Sequence, residues 1–199
     1  MRQFDKPAII VGTGPSLQVD LIKQLKAENK VVLFGVNNTF QDFDLDVWIA
    51  CDPSWHKEYS PVDIAADCWH WDPDICERFG YQYIPGHWGD GLSVDPSYIH
   101  FGHSSGYQAL NLAVHYGCSR ILLCGYDMHY RASRHYFTDL SDKEGEYPQV
   151  LRKYSTFDGL ITCYQTIADQ SGLPEIINCS PGSALDCFPL GDLLNATNT

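Results

Sequence analysis

The stretch that decides the fold is Ala8-Ile9-Ile10-Val11-Gly12-Thr13-Gly14-Pro15-Ser16-Leu17. Four apolar residues run directly into two glycines, and this order predicts a buried strand, a tight turn and a helix that Ser16 caps. Such a turn aims unpaired backbone N–H groups and the positive end of a helix dipole at one point, which suits a phosphate. The same pattern is also compatible with a plain strand-to-helix connection that binds nothing.

This turn departs from two common nucleotide-binding motifs. The dinucleotide fingerprint G-x-G-x-x-G has a third glycine where Leu17 stands, and the sequence lacks the Gly-Lys-Ser/Thr of a P-loop. The turn therefore indicates a phosphate without identifying the nucleotide or the reaction.

Short apolar runs alternate with amphipathic segments of helix length along the chain. This alternation is typical of an α/β protein with a mostly parallel open sheet and helices on both faces, as in Rossmann-like folds. We predict strands near 7–12, 31–36, 46–51, 81–85, 99–101, 120–124 and 175–179, and helices near 16–28, 104–116 and 157–170. The length predicts one nucleotide-binding domain over 1–199, with a long lid loop at about 128–154.

Composition excludes several classes of protein. The chain is 44% hydrophobic and 19% charged, as in globular domains, and neither a membrane span nor a signal peptide is predicted. Eight cysteines without a C-x-x-C pair favour reduced thiols and a cytoplasmic location over disulfides or zinc. The formal charge of −12 argues against broad nucleic-acid binding. Backbone amides, local bases or a divalent cation must therefore hold any anionic substrate.

Small and hydrogen-bonding residues recur where the predicted strands end, which is where parallel sheets bind ligands. Besides the first turn, these ends carry Asn37 and Asn38, Asp52, Ser104-Ser105-Gly106, Gly125-Tyr126-Asp127 and Ser180-Pro181-Gly182-Ser183. Asparagine amides suit a base or ribose edge, and serines at a helix start suit an anion. Helix caps and polar turns explain each end singly, but six together favour a ligand site.

The predicted lid carries the candidate residues for proton transfer and phosphate contact. His103, His129 and His135 are candidate general bases, and we favour His135 and His129 together with Asp127 as catalytic residues. The lid bases predicted to contact phosphate are Arg131, Arg134, Arg152 and Lys153. A solvated loop of mixed charge is the alternative for this segment.

Carboxylates at two strand ends make a metal ion a further expectation. Asp52 and Asp127 are candidate Mg²⁺ ligands if both strands end at one cleft. Asp44-x-Asp46 has the spacing of a metal-binding motif of sugar transferases, but it precedes its strand and is expected at the wrong edge of the sheet.

Five segments in this order resemble a known superfamily: Ile9–Leu17, Val36-Asn37-Asn38, Ser104-Ser105-Gly106, Gly125-Tyr126-Asp127 and Cys179–Leu185. It joins bacterial sialyltransferases of glycosyltransferase family 42 to archaeal 6-hydroxymethylpterin diphosphokinases, flagellin-glycosylation accessory factors and uncharacterised phage proteins. The resemblance implies that Gly12, Gly14, Pro15 and Ser16, with Thr13 between them, surround the nucleotide phosphate. It further implies that Ser104–Gly106 hold sugar or phosphate, that Asp127 lies at the cleft centre, and that Ser180–Ser183 close the pocket.

One departure from the family pattern bears on the reaction. The sialyltransferases have a catalytic histidine just ahead of the helix that follows the central strand's loop, where this chain has Arg152-Lys153-Tyr154. The first hypothesis is a glycosyltransferase with a nucleotide-activated donor as cosubstrate. The alternatives are a Mg²⁺-dependent pyrophosphokinase acting on a small hydroxymethyl acceptor, and a non-catalytic nucleotide-binding or sequestering module. The sequence does not indicate the acceptor, and it leaves open whether the protein forms a homo-oligomer.

Overall fold

The computed structural model of the chain describes residues 1–129 and 157–197. In chain order the first half contains β1 (Ala8–Val11), α1 (Val19–Ala27), β2 (Val32–Val36), a 3-10 helix (Asn37–Gln41), β3 (Val47–Ile49), α2 (Pro53–Tyr59), β4 (Asp67–His70), α3 (Pro73–Phe79) and β5 (Gln82–Tyr83). The second half contains β6 (Gly86–His87), β7 (Ile99–His100), α4 (Ser105–His115), β8 (Arg120–Cys124), α5 (Phe157–Ala168), β9 (Glu175–Asn178) and α6 (Leu193–Thr197).

Seven of the strands form one parallel sheet in the order β5-β4-β3-β2-β1-β8-β9, and β6 and β7 form a separate parallel pair. The chain moves outward from β1 to β5 and then returns to place β8 on the other side of β1. Strand order thus reverses between β1 and β8, which is a topological switch point. The α/β Rossmann-like fold class predicted from sequence is confirmed.

Helices cover both faces of the sheet, and β1 contributes to both cores by alternation. Ala8 and Ile10 pack in the core that includes α4 and α5, whereas Ile9 and Val11 pack in the core that includes α1 and α6. All four residues are 0% exposed. Burial on both sides explains why this strand reads as an unbroken apolar run in the sequence.

The first helix begins later than the sequence predicts. It starts at Val19, its N-cap is Gln18, and no side chain caps it. The prediction that Ser16 caps this helix is wrong, because the Ser16 hydroxyl donates to Asp127 instead. A six-residue connection therefore separates the first glycine from the first helical turn.

Within residues 53–96 the sequence predicts a single strand, near 81–85. The structure has two helices, α2 and α3, and three strands, β4, β5 and β6, in this region. Asp52 and Asp72 cap α2 and α3 by accepting hydrogen bonds from Ser54 N–H and Asp74 N–H. In both helices a proline stands at the first helical position. The repeated Asp-Pro pair, with aspartate at the N-cap and proline at the first helical position, is a signal for a helix start that is visible in the sequence.

Three other expectations concern the whole chain. Of the predicted lid, only Met128 and His129 are among the described residues, so the lid stays a prediction. In the part of the chain that is described, no helix has both the length and the apolar character needed to cross a bilayer. All eight cysteines are free thiols, as expected, although Cys51 is only half-buried.

Candidate functional site

The turn after β1 and the turn after β8 meet at the switch point, on the carboxyl edge of the sheet. The Gly12 N–H donates to the Cys124 carbonyl oxygen at 2.8 Å, and the Gly14 N–H donates to the Gly125 carbonyl oxygen at 2.8 Å. Hydrogen bonding between the two chain segments therefore continues beyond the strands. The prediction that this turn presents unpaired N–H groups is wrong for Gly12 and Gly14.

The glycines in these turns are required by the close approach of the two backbones. A Cβ on Gly12 would lie 2.7 Å from the Gly125 carbonyl oxygen, and a Cβ on Gly14 would lie 2.6 Å from the same atom. The Gly14 Cβ would also overlap the Asp127 carboxylate. Gly125 itself has φ +75°, a backbone conformation that residues with a side chain rarely adopt. The glycines at these positions are thus explained by close contact between the turn after β1 and the turn after β8.

Asp127 lies at the centre of this arrangement and is only 7% exposed. Its Oδ2 accepts hydrogen bonds from the Ser16 hydroxyl at 2.8 Å and from the Ser16 N–H at 3.4 Å. Its backbone carbonyl accepts from the Ala184 N–H at 2.8 Å. A carboxylate oxygen therefore occupies the turn in which the sequence predicts a phosphate oxygen.

The loop after β9 packs against the turn after β8 through its two serines. The Ser180 hydroxyl accepts from the Tyr126 N–H at 2.8 Å and donates to the Leu123 carbonyl at 3.2 Å. The Ser183 hydroxyl donates to the Tyr126 carbonyl. Between the two serines, Pro181 and Gly182 are exposed. Three predicted strand ends, after β1, β8 and β9, thus form one connected group.

A second group of predicted residues forms at the carboxyl ends of β2 and β3. The Ser105 hydroxyl donates to Asn37 Oδ1 at 3.0 Å and accepts from the Cys51 N–H at 2.9 Å. Ser104 caps α4 by accepting from the Tyr107 N–H at 3.1 Å. The start of α4 therefore lies across these two strand ends.

Tyr126 and Tyr164 link the two groups; from the sequence, Tyr126 is named only as part of the Gly125-Tyr126-Asp127 segment, and neither tyrosine is given a role. The Tyr126 hydroxyl donates to the Gly106 carbonyl at 3.1 Å, and its ring packs against that of Tyr164 at 5.9 Å between centroids. Burial, together with the nearby Tyr164, raises the pKa of Tyr126 well above its ordinary value, so its hydroxyl stays protonated. The position of Tyr126 between Gly125 and Asp127 was the sequence signal that could have identified it as part of the site.

Asn38 and Asp52 already have partners within their own part of the fold. Asn38 Oδ1 accepts from the Trp55 indole N–H at 2.6 Å, and Asp52 caps α2 through Ser54. The side-chain oxygens that accept these bonds, on Asn38 and Asp52, therefore stabilise the fold. This agrees with the alternative explanation by helix caps and polar turns rather than by a ligand. The amide donors of Asn37 and Asn38 are the groups left for a base or ribose.

The strand order bears on the expected Mg²⁺ site. Asp52 follows β3 and Asp127 follows β8, and three strand spacings, about 14 Å in all, separate these strands. That separation does not favour one ion bound directly by both carboxylates. Among residues 1–129 and 157–197, no three His, Cys, Asp or Glu side chains are grouped to hold a metal ion. Metal dependence stays a prediction.

The predicted catalytic histidines are placed only in part. His129 is half-buried, and its Nδ1 atom is buried with no hydrogen-bond partner among the described residues. His103 is exposed in the loop before α4, where its ring packs at a tilted angle against Trp88 at 4.6 Å between centroids. His135 and the bases Arg131, Arg134, Arg152 and Lys153 lie outside the described residues.

The Asp44-x-Asp46 motif was discounted correctly. Asp46 Oδ2 accepts from the Lys26 ammonium group at 2.6 Å and from the Leu33 N–H at 2.8 Å. These contacts lie at the amino ends of β2 and β3, on the edge of the sheet opposite the switch point.

The chain was compared with known proteins. Its sequence matches no protein-family model and no curated protein. Among solved structures it is similar to the MAf glycosyltransferase from Magnetospirillum magneticum AMB-1, with a TM-score of 0.56 and 17% identity. The match covers 96% of this chain and 34% of that chain, so this chain spans about a third of the neighbour's length. This likeness shows a shared fold, and it does not distinguish the sialyltransferase and diphosphokinase branches.

Proposed function

We propose that the protein is a transferase that uses a nucleotide-activated donor, and that it transfers a sugar. The observation that carries the proposal is the meeting of the turns after β1, β8 and β9 at the switch point. Parallel α/β sheets bind their ligands at this place. We name sugar transfer as the reaction because the structural neighbour is a glycosyltransferase, although the shared fold alone does not separate sugar transfer from pyrophosphate transfer.

The donor phosphate needs hydrogen-bond donors other than the N–H groups of Gly12 and Gly14. The hydroxyl and N–H of Ser16 are suitable, since they already bond to an oxygen anion, the Asp127 carboxylate. A phosphate oxygen offers the same acceptor chemistry and competes for these donors. We therefore propose that the nucleotide replaces Asp127 at Ser16, which frees the carboxylate to contact ribose or the departing group.

We propose the following roles for the remaining residues, of which only those among 1–129 and 157–197 have a described position. Asn37 and Asn38 contact the base or ribose, Ser104–Gly106 lie nearest the transferred sugar, and Ser180–Ser183 close the pocket. His129 or His135 accepts the acceptor's proton. The bases Arg131, Arg134, Arg152 and Lys153 stabilise charge on the leaving phosphate, so that catalysis relies on positioning and electrostatics.

The proposal is tested by calorimetric titration with CMP, UDP, GDP and ATP, each with and without Mg²⁺. We expect a pyrimidine nucleotide to bind without a metal requirement. Ser16→Ala should weaken that binding about tenfold, the loss of one charge-assisted hydrogen bond. Ser171→Ala is the matched control, because Ser171 is an exposed serine in the turn before β9, at the opposite edge of the sheet.

Other outcomes of the same titration redirect or refute the proposal. Mg²⁺-dependent binding of ATP alone would favour pyrophosphate transfer to a small hydroxymethyl acceptor. If a nucleotide binds in the titration but a separate assay with nucleotide sugars detects neither hydrolysis nor sugar transfer, a binding or sequestering module would be favoured. If no nucleotide binds, all three functions are refuted.

A further inference from the structure

A cavity of about 440 Å³ opens beside the loop that leads into α4. It is bounded by segment 88–90, by the Gly102–His103 loop and by α5, and we name it the Trp88 cavity. Its lining side chains include Trp88, Asp90, His103, Tyr107, Thr162 and Thr166. Its volume lies in the range of small-molecule sites, and no residue of the proposed nucleotide site lines it.

Trp88 is a large apolar side chain that remains 69% exposed. Its ring is nevertheless held in place, because it packs at a tilt of 38° against His103, 4.6 Å away, and against Phe101 in an edge contact at 5.0 Å between centroids. Phe101 in turn packs against Trp71 at 5.1 Å. These contacts fix the orientation of an exposed indole ring beside the cavity, and an exposed indole offers both an apolar face and a polar N–H to a ligand.

The backbone next to Trp88 is fixed by hydrogen bonds to α4 and α5. The Gly91 N–H donates to Thr166 Oγ1 at 2.8 Å, and the Tyr107 hydroxyl donates to the Gly91 carbonyl. Gln170 exchanges two hydrogen bonds, both 2.7 Å, with the backbone of Leu92. The cavity wall is therefore formed before any ligand arrives, which reduces the entropy cost of binding.

The charge of the cavity selects against an anionic ligand. Among the described residues that line it, Asp90 is the carboxylate and no lysine or arginine is present. Partial burial lowers the pKa of His103, so its imidazole is neutral at pH 7. The net charge of −12 adds to the repulsion of nucleotides and phosphates. A ligand for this cavity therefore carries no negative charge and has polar groups that donate hydrogen bonds to a carboxylate.

We propose that the Trp88 cavity binds a neutral hexose ring of the acceptor. The axial C–H bonds of a pyranose ring carry slight positive charge and are attracted to the negative face of an indole such as Trp88. Asp90 accepts hydrogen bonds from adjacent sugar hydroxyls, because a carboxylate offers two acceptor oxygens. The inference deepens the proposed function, on which the acceptor role rests, by naming the acceptor as a carbohydrate.

Ligand-observed NMR titration with the methyl glycosides of glucose, galactose and N-acetylglucosamine tests this inference. At least one glycoside should bind the native chain, and Trp88→Ala should weaken its binding at least about tenfold, the loss of one aromatic face. Asp90→Asn should weaken binding less, by about threefold, because one acceptor oxygen remains. Tyr83→Ala is the control, since Tyr83 is a 51% exposed aromatic residue on edge strand β5.

The outcomes separate this inference from the proposed function. Wild-type glycoside affinity in Trp88→Ala, or no glycoside binding at all, overturns the sugar site and leaves the nucleotide site standing. If Trp88→Ala loses nucleotide binding instead, the cavity is part of the donor site and the inference is wrong. Glycoside binding without any nucleotide binding would refute the transferase while retaining the sugar site.

Discussion

The switch-point turns and the Trp88 cavity are built in opposite ways. In the turns after β1, β8 and β9, polar groups bond to one another, and the Asp127 carboxylate bonds to Ser16. Around the Trp88 cavity, hydrogen bonds fix the wall from behind, and the indole face and the Asp90 carboxylate face the open space. The difference teaches that the proposed phosphate would have to replace Asp127 at Ser16, whereas the proposed sugar would enter the cavity without displacing a protein group.

The outer half of the sheet relies on aromatic packing where the switch point relies on hydrogen bonds. Trp48 packs against Trp55 at 5.3 Å and against Tyr81 at 5.6 Å between centroids. His56 packs against His70 at 4.8 Å in the same cluster, and His70 is 0% exposed. Steric changes should therefore affect the switch point most, and protonation should affect the outer half most.

The largest effect is expected from a side chain added between the two turns. Gly14→Ala places a Cβ against the Asp127 carboxylate and 2.6 Å from the Gly125 carbonyl oxygen, and a backbone atom moves only at a cost. We expect a loss of about 3 kcal/mol or more in the free energy of unfolding, measured by urea denaturation.

Gly172→Ala is the matched control for this substitution. Gly172 has φ +82°, and a Cβ added there would have no atom within 4 Å. Gly172→Ala therefore introduces backbone strain but no steric clash with neighbouring atoms. That strain costs about 1 kcal/mol. Equal losses in the two variants would show that the turns do not approach as closely as described.

A smaller effect is expected from acidification of the outer half. Burial, with the nearby His56, lowers the pKa of His70 to about 4, against about 6.5 in an unfolded chain. Between these values the unfolded state binds a proton that the folded state does not. Stability is therefore complete above pH 6.5 and falls as the pH drops towards 4, by about 2 kcal/mol between roughly pH 7.5 and pH 5.

His70→Gln should flatten this pH dependence in urea denaturation at several pH values. It will not abolish the dependence, since burial also lowers the pKa of His56 and of His115. His87→Gln is the control, because His87 is exposed and its variant should follow the native curve. A His70→Gln curve as steep as the native one would remove His70 from the explanation.

The sequence predicted the fold class because strands buried on both faces are unbroken apolar runs, as in Ala8–Val11. It also predicted that residues far apart, such as Ser16, Asp127 and Ser180, lie at one edge, since parallel strands end together. It did not predict their partners. Whether Ser16 caps a helix or bonds to Asp127 depends on tertiary contact between β1 and β8, which local patterns do not encode.

The Trp88 cavity was not predicted for a different reason. Its walls come from segment 88–90, the loop before α4, and α5, and no periodicity links these segments. A tryptophan between Pro and Gly residues indicates a loop, and its 69% exposure beside a cavity is seen only in the folded chain. The Asp-Pro helix starts at 52–53 and 72–73, in contrast, were available in the sequence.

The central claim is that a nucleotide binds where the turns after β1, β8 and β9 meet. It is tested most directly by the amide chemical shifts of the ¹⁵N-labelled native chain during titration with CDP or UDP. We expect saturable shifts for Thr13, Ser16, Asp127 and Ser183, with Trp88 and Asp90 unchanged. Saturable shifts confined to the Trp88 cavity, or no shifts at all, would contradict the account.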